Sequence, residues 1–320
     1  MERRKFIVKA SQASLALSAL GVYACNEKKK KEVELSKETV SKESSLFFDI
    51  SLAQWSLHRA LRSGNMNNLD FAVKSRALGC NGLEYVNGFF KDKVKDMAYL
   101  KEMNAIADSE GQKNVLIMID QEGDLADADD NRRLKAIENH YKWVDAAHFL
   151  GCHAIRVNLA GGTDKDDAMK AAIDSLEKLS NFAEGSDINI LVENHGGFSS
   201  NGDWMSRVFS QVRHVNCGTL PDFGNFCIAK DEDKNCVDAY DRYKGMRQLM
   251  PFAKAVSAKS YDFDEHGNET TIDFKRMMTM VKDFKYTGFV GVEFEGNNVS
   301  EEKGIQLTRD LLIKVGRELS

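Results

Sequence analysis

Apolar positions beyond residue 45 fall into two alternating patterns. Long stretches repeat at helical spacing, as at Leu134, Ile137, Tyr141, Val144 and Phe149, and between them lie short runs that are apolar throughout or alternate residue by residue. Two segments repeat the handover between the patterns. ALGCNGLEYVN (77–87) and FLGCHAIRVNL (149–159) each place a glycine after a helical run and then a strand, which is where a left-handed glycine ends a helix. The handover recurs roughly every 30–40 residues, the rhythm of repeated βα units. The pattern predicts eight strands at 47–53, 82–87, 114–120, 154–160, 188–194, 215–221, 254–260 and 289–295. Helices are expected over 92–110, 132–150, 164–184 and 271–285. Eight such alternations predict an α/β fold, a single-domain (β/α)8 TIM barrel over 46–320. No GxGxxG or P-loop follows the first strand, which argues against a dinucleotide or nucleoside-triphosphate fold.

Side chains alternate faces along a strand, so parity sorts inward from outward positions. In the eighth strand Val290, Val292 and Phe294 form the outer apolar set, leaving Gly291, Glu293 and Glu295 toward the axis. The fifth strand sends Ile190, Val192 and Asn194 outward and Leu191, Glu193 and His195 inward; the fourth turns Arg156 and Asn158 inward. Parity adds Glu84, Asp222, Ser257 and Lys259. Polar groups gathered at the C-terminal ends of barrel strands are where TIM-barrel chemistry sits. Several buried carboxylates need a metal, a cation or shared protons to be tolerated. Two positions have a second reading: Glu84 as an interior partner of Arg156, and Glu295 as a solvated rim residue.

The N-terminus changes the picture of where the barrel works. ERRKFIVKASQASLALSALGVYAC begins with charge, continues through an apolar stretch and ends at a cysteine, the outline of a signal peptide and too short for the roughly 20 residues of a membrane span. Arg3 and Arg4 before Lys5, Phe6 and Ile7 resemble a twin-arginine signal, and Val22, Tyr23, Ala24 and Cys25 a lipobox. The expectation is a signal peptide at 1–24, a flexible Lys/Glu/Ser-rich tether at 25–45, and an exported, periplasmic or outer-membrane-anchored lipoprotein touching membrane only through that anchor. The alternative is an uncleaved segment on a cytoplasmic protein. Cys80, Cys152, Cys217, Cys227 and Cys236 remain, an odd number without a CxxC pair, so a disulfide framework is not expected. A net charge of -5 offers no attraction for phosphate backbones, which excludes nucleic acid as a partner.

SLAQWSL (51–57), GLEYVN (82–87), ILVENHGG (190–197), LPDFGN (220–225), AVSAKSYDF (255–263) and FVGVEFEG (289–296) together resemble the sugar isomerase/epimerase barrels grouped with xylose isomerase and endonuclease IV. That resemblance implies a divalent ion held by Glu193, Asp222, a seventh-strand histidine and Glu293. Ser257 stands at the histidine position, and three carboxylates without imidazole suit Mn2+ or Mg2+ better than Zn2+. It also implies a small-molecule sugar substrate and proton transfer beside a carbonyl. Glu193 and Glu293 are then the acid/base pair, Lys259 a charge stabiliser, and Glu84, Arg156, Asn158 and His195 substrate contacts, with Trp55 and Phe89 stacking on a sugar face. Two further readings stay open: a lyase or hydrolase acting on keto-sugar glycosides by β-elimination, and a non-catalytic sugar-binding lipoprotein.

Overall fold

The structure, a computed structural model, describes residues 45–320; the expected signal peptide and nearly all of the tether lie outside the described residues. Eight parallel strands form one sheet: β1 (Asp49–Ala53), β2 (Gly82–Val86), β3 (Lys113–Met118), β4 (Ala154–Val157), β5 (Asn189–Glu193), β6 (Cys217–Leu220), and, after a two-stranded hairpin of β7 (Cys227–Lys230) and β8 (Cys236–Ala239), β9 (Val256–Ser260) and β10 (Phe289–Phe294). Neighbours run β6-β5-β4-β3-β2-β1-β10-β9. Parallel bridges from Thr219 to Ala253 and from Asp222 to Ser257 join the two ends and close a (β/α)8 barrel. All eight expected barrel strands are present. β1 and β9 end where expected, and the other six stop one to three residues short of the expected ends.

Helices wrap the outside. The helix Asp130–Leu150 starts where Asp129 accepts a hydrogen bond from the Arg132 amide and ends at Gly151 with φ of 73°, as the repeated glycine predicts. Its inner face differs from the expected one. Leu134 and Phe149 are 46% and 38% exposed, while Ile137, His140, Trp143 and Val144 are buried. Ile137 and Val144 of the expected stripe are buried as predicted, and Trp143, which packs edge-on against Phe90 and donates to Glu122, takes the place of Leu134 and Phe149 on the inner face.

Two apolar layers follow from strand parity. Ile155, Val157, Ile190, Val192, Val290, Val292 and Phe294 pack outward on the helices, and Val86, Val115, Leu116, Met118, Leu191 and Leu220 fill the barrel interior. Val115 and Leu116 are consecutive yet both interior, since β3 carries a bulge where its register against Leu83 and Glu84 shifts. Above this plug the interior turns polar. Cys80 and Cys152 are buried as helix-to-strand packing residues, and burial pushes the Cys80 thiol up to about 12.

The hairpin corrects one expectation: Cys227 and Cys236 form a disulfide across it, leaving Cys80, Cys152 and Cys217 free. The odd count hid the pair. Its strands CIAK and CVDA are short and exposed, so no periodicity announced them.

Candidate active site

Glu193 ends β5, Asp222 follows β6, and Glu293 lies near the end of β10; one carboxylate oxygen from each lies within 4.8 Å of the others. All three are buried. LPDFGN builds the Asp222 corner locally: Oδ1 accepts the amides of Gly224 and Asn225, each at 2.8 Å. Asn194, expected to face outward, instead is buried and ties β5 to β6 by donating to the Asp222 carbonyl and accepting the Asp222 amide. Ser257 donates to Asp222 Oδ2 at 2.6 Å and lies 3.0 Å from Glu293 Oε2. Where an imidazole was expected, a hydroxyl bridges two carboxylates.

Two cations reach the cluster. Lys259 Nζ is 2.9 Å from Glu293 Oε1 and 3.3 Å from Glu295 Oε1. Its stem passes a gap kept open by Gly224, where an added Cβ would meet Lys259 Cγ at 2.7 Å. Arg156 Nη1 pairs with Asp120 at 2.8 Å, and its Nε lies 2.9 Å from Glu193 Oε2. That second contact is out of line for a hydrogen bond, so Arg156 Nε and Glu193 Oε2 both keep an unfilled position. Glu193 Oε1 accepts from Asn225 at 2.8 Å.

These contacts separate the carboxylates. Burial, opposed by Arg156 and reinforced by Glu293, raises Glu193 to about 7. Burial likewise raises Asp222 to about 7, with Lys259 opposing and Glu193 adding. Glu293 is equally buried, yet Lys259 overrides the burial and holds its carboxyl below the usual range. Asp120, beside Arg156, is lowered to about 2. His195 is exposed on its outer side, but crowding by the protein, then Arg156 and Lys259 below, lowers its imidazole pKa, so the ring is neutral at pH 7.

Glu84 sits deeper, accepting from Ser51 at 2.5 Å with Oε2 unpartnered. The ion pair with Arg156 that was its second reading does not form, because Arg156 is taken by Asp120 and Glu193. Gly291 makes its space: a Cβ there would come within 2.5 Å of Glu84 Oε1. Burial raises Glu84 from 4.5 to about 8. The folded state therefore holds a proton that the unfolded chain releases above about 4.5, and stability present below that pH is lost as pH rises toward about 8. Glu84→Gln removes this titration. Thermal melts from pH 5 to 9 are expected to show the variant gaining on wild type by as much as about 1.4 kcal/mol per pH unit across that window; parallel curves would place the proton elsewhere.

Other predicted residues converge as expected. Asn158 donates to Asp120 at 2.8 Å, and the Trp55 indole N–H donates to Glu295. Trp55 and Phe89 lie 6.4 Å apart and line, with Asp120 and His195, a cavity of about 680 Å³ at the mouth. His58 stacks on Trp55 at 4.8 Å. Glu295 is half-buried and bound to Lys259 and Trp55, so it belongs to the site wall more than to a free rim. Asp120 and Asn225 were missed. An acid closing the apolar run VLIMI is the signal that marks Asp120, the same one that picks out Asp222; Asn225 has no signal beyond its turn.

Three carboxylates converge, one oxygen of Glu193 is unpartnered, and among the described residues no imidazole or thiolate joins the cluster. The set fits a hard oxygen-seeking cation such as Mg2+ or Mn2+.

Comparison with curated protein sequences found no match. Among solved structures, a D-psicose 3-epimerase from Clostridium cellulolyticum H10, solved with D-tagatose, gives a TM-score of 0.62 at 14% identity, covering 78% of this chain and 94% of its own. A 3-keto-D-glucoside 4-epimerase from E. coli gives 0.62 at 15% identity, covering 83% and 98%. A xylose isomerase-like TIM barrel protein from Mycobacterium smegmatis, in complex with magnesium, gives 0.64 at 15% identity, covering 85% and 97%. At such identities the likeness is one of fold. Residues 73–315 match the xylose isomerase-like TIM barrel family, and the chain belongs to that family.

Proposed function

We propose that the protein is a sugar epimerase or isomerase that moves a proton at a carbon beside a carbonyl, with Glu293 and Glu193 as base and acid. The observation that carries this reading is the split between two neighbouring carboxyls. Glu293 is held ionised by Lys259, while Glu193 stays near neutrality with a free oxygen. Pairs of titratable groups pushed apart by their surroundings mark acid and base assignments.

In the forward direction Glu293 removes the C–H proton. The electron pair of that bond forms a carbon–carbon double bond, and the carbonyl pair moves onto its oxygen. Lys259, beside Glu293, and Arg156, beside Glu193, offset the charge that develops there. Protonated Glu193 then returns a proton to carbon, and the two carboxyls exchange roles for the reverse reaction. Asn158 and neutral His195 contact hydroxyls, and Trp55 with Phe89 offers an apolar face to the ring. Glu193, Asp222 and Glu293 would hold a divalent ion, which supplies Lewis-acid polarisation of a carbonyl oxygen when bound. The test is solvent deuterium incorporation into ketoses and 3-keto glycosides by the purified protein; no incorporation into any of them would sink the reading.

Because Ser257 replaces the histidine, ion binding is expected to be weak. Ser257→His adds an imidazole ligand and is expected to tighten Mn2+ binding by about 10-fold or more, read by titration calorimetry on both forms. Equal affinities would mean that the side chain at this position does not reach the ion.

Export is proposed on the twin-arginine and lipobox pattern, and the Cys227–Cys236 disulfide supports it, since such bonds persist in oxidising compartments. Cys25→Ala is expected to shift the protein from the membrane fraction to the soluble one. If both forms fractionate as soluble, the anchor is wrong.

A further inference from the structure

The mouth of the barrel has a second lobe. A cavity of about 470 Å³ lies against the hairpin and shares His195 with the aromatic-walled one of about 680 Å³. Each lies within the roughly 300–1,000 Å³ of a small-molecule site, so the two together offer more room than one sugar ring needs. Asn225 lines the hairpin lobe and also donates to Glu193. Whatever fills the lobe is therefore a neighbour of the acid/base pair.

The lobe's charge is opposite to that of the floor. Lys230, Lys234 and Arg242 line it, and none is paired with a carboxylate among the described residues; Arg242 donates only to the Thr271 carbonyl. The hairpin's acids are not among the walls. Asp231 turns back to Asn235, and Asp241 caps the helix Arg242–Leu249 through the amides of Tyr243 and Lys244. The disulfide joins the two strands that carry this wall.

We propose that the hairpin lobe is an anion subsite of the same active site, taking a carboxylate or sulfate on the sugar unit next to the one that reacts, so that the substrate class is an acidic glycoside. The inference rests on the sugar reading of the acid cluster. A neutral reacting ring over the carboxylates and an anion among the three cations match the polarity of the two regions.

The test is calorimetric titration of the full protein with matched disaccharides: neutral, uronic-acid and 6-sulfated members of the same linkage, at low and high salt. At least one acidic member is expected to bind about 10-fold more tightly than its neutral counterpart, and high salt is expected to shrink the gap. The uronate and sulfate arms separate the two sources of charge. Lys230→Ala with Lys234→Ala is expected to close most of the gap; both lysines are exposed, so the fold is retained, and Lys234→Glu, which leaves Lys230 and Arg242 in place, serves as a second variant that should shrink the gap more than Lys234→Ala does. Equal binding of acidic and neutral members, a gap that survives the lysine variants, or no binding by any acidic member overturns the proposal. Deuterium exchange is followed in the same samples. Exchange without acidic preference removes the subsite and leaves the proton-transfer reading standing, whereas acidic preference without exchange does the reverse.

Discussion

Glu193→Gln and Glu293→Gln are each expected to slow deuterium exchange into the sugar by about 100-fold or more, the usual loss when a general acid or base is removed. Glutamine keeps the shape of each side chain, so rates fall because a proton has no acceptor or source. The two variants part company in stability. Glu193 is raised to about 7 by burial, and its amide replacement can still accept from Asn225, while Arg156 keeps Asp120. Its melting temperature is expected to hold or rise above pH 7, where the wild-type carboxyl ionises at a cost. Glu293 is the opposite case. Its charge is the one Lys259 faces at 2.9 Å, and Glu293→Gln leaves a buried ammonium with Glu295 at 3.3 Å and the more distant Asp222 and Glu193. A loss of about 1–3 kcal/mol is expected. Strand parity alone puts both acids in the mouth and predicts little effect on stability for either; the position of Lys259 is what distinguishes them. Exchange by either variant at the wild-type rate would show that its carboxyl does not handle the proton.

Much of this site was legible because a parallel barrel obeys a period of two. Once the outer stripe Val290, Val292, Phe294 was read from the eighth strand, Glu293 had to face inward, and the same counting placed Glu193, Arg156 and Glu84. Parity fails where the backbone leaves the ladder. The bulge in β3 turns both Val115 and Leu116 inward, and Asn194, one step past β5, is buried between two strand ends instead of facing the helices. Partner choice was not legible either. Arg156 was in reach of several acids, and only the three-dimensional spacing assigns it to Asp120 and Glu193 and leaves Glu84 to Ser51. The hairpin and its disulfide were invisible for a different reason: exposed strands of four residues bury too little apolar surface to leave a period, and nine residues of separation do not distinguish a bridge from chance.

Replacing Lys259 is expected to have the largest combined effect of any single change. The ammonium is 1% exposed and remains charged despite burial because Glu293, Asp222 and Glu295 surround it. Lys259→Met keeps the stem that fills the gap beside Gly224 and removes only the charge. Breaking a buried pair from one side leaves uncompensated charge, a penalty of about 3–5 kcal/mol near neutral pH. The carboxylates can escape part of it by taking up protons, and this sets the sign of the pH dependence. In wild type the Glu293 carboxyl is held below its unfolded value, so its contribution is present above about 4.5 and lost as pH falls. Without Lys259, burial and the neighbouring acids raise Glu293 instead. The variant's stability is then present at low pH and lost as pH rises through neutrality. Melting curves for wild type and Lys259→Met are expected to converge near pH 5 and diverge toward pH 8, while exchange falls by about 100- to 1,000-fold, as when a preorganised charge donor is lost. Lys259→Arg is not expected to rescue either property, since a planar fork does not fit a channel built for a single ammonium. A constant offset between the curves across this range would mean that Lys259 contributes packing alone, and the charge on the reacting oxygen would then have to be met by Arg156.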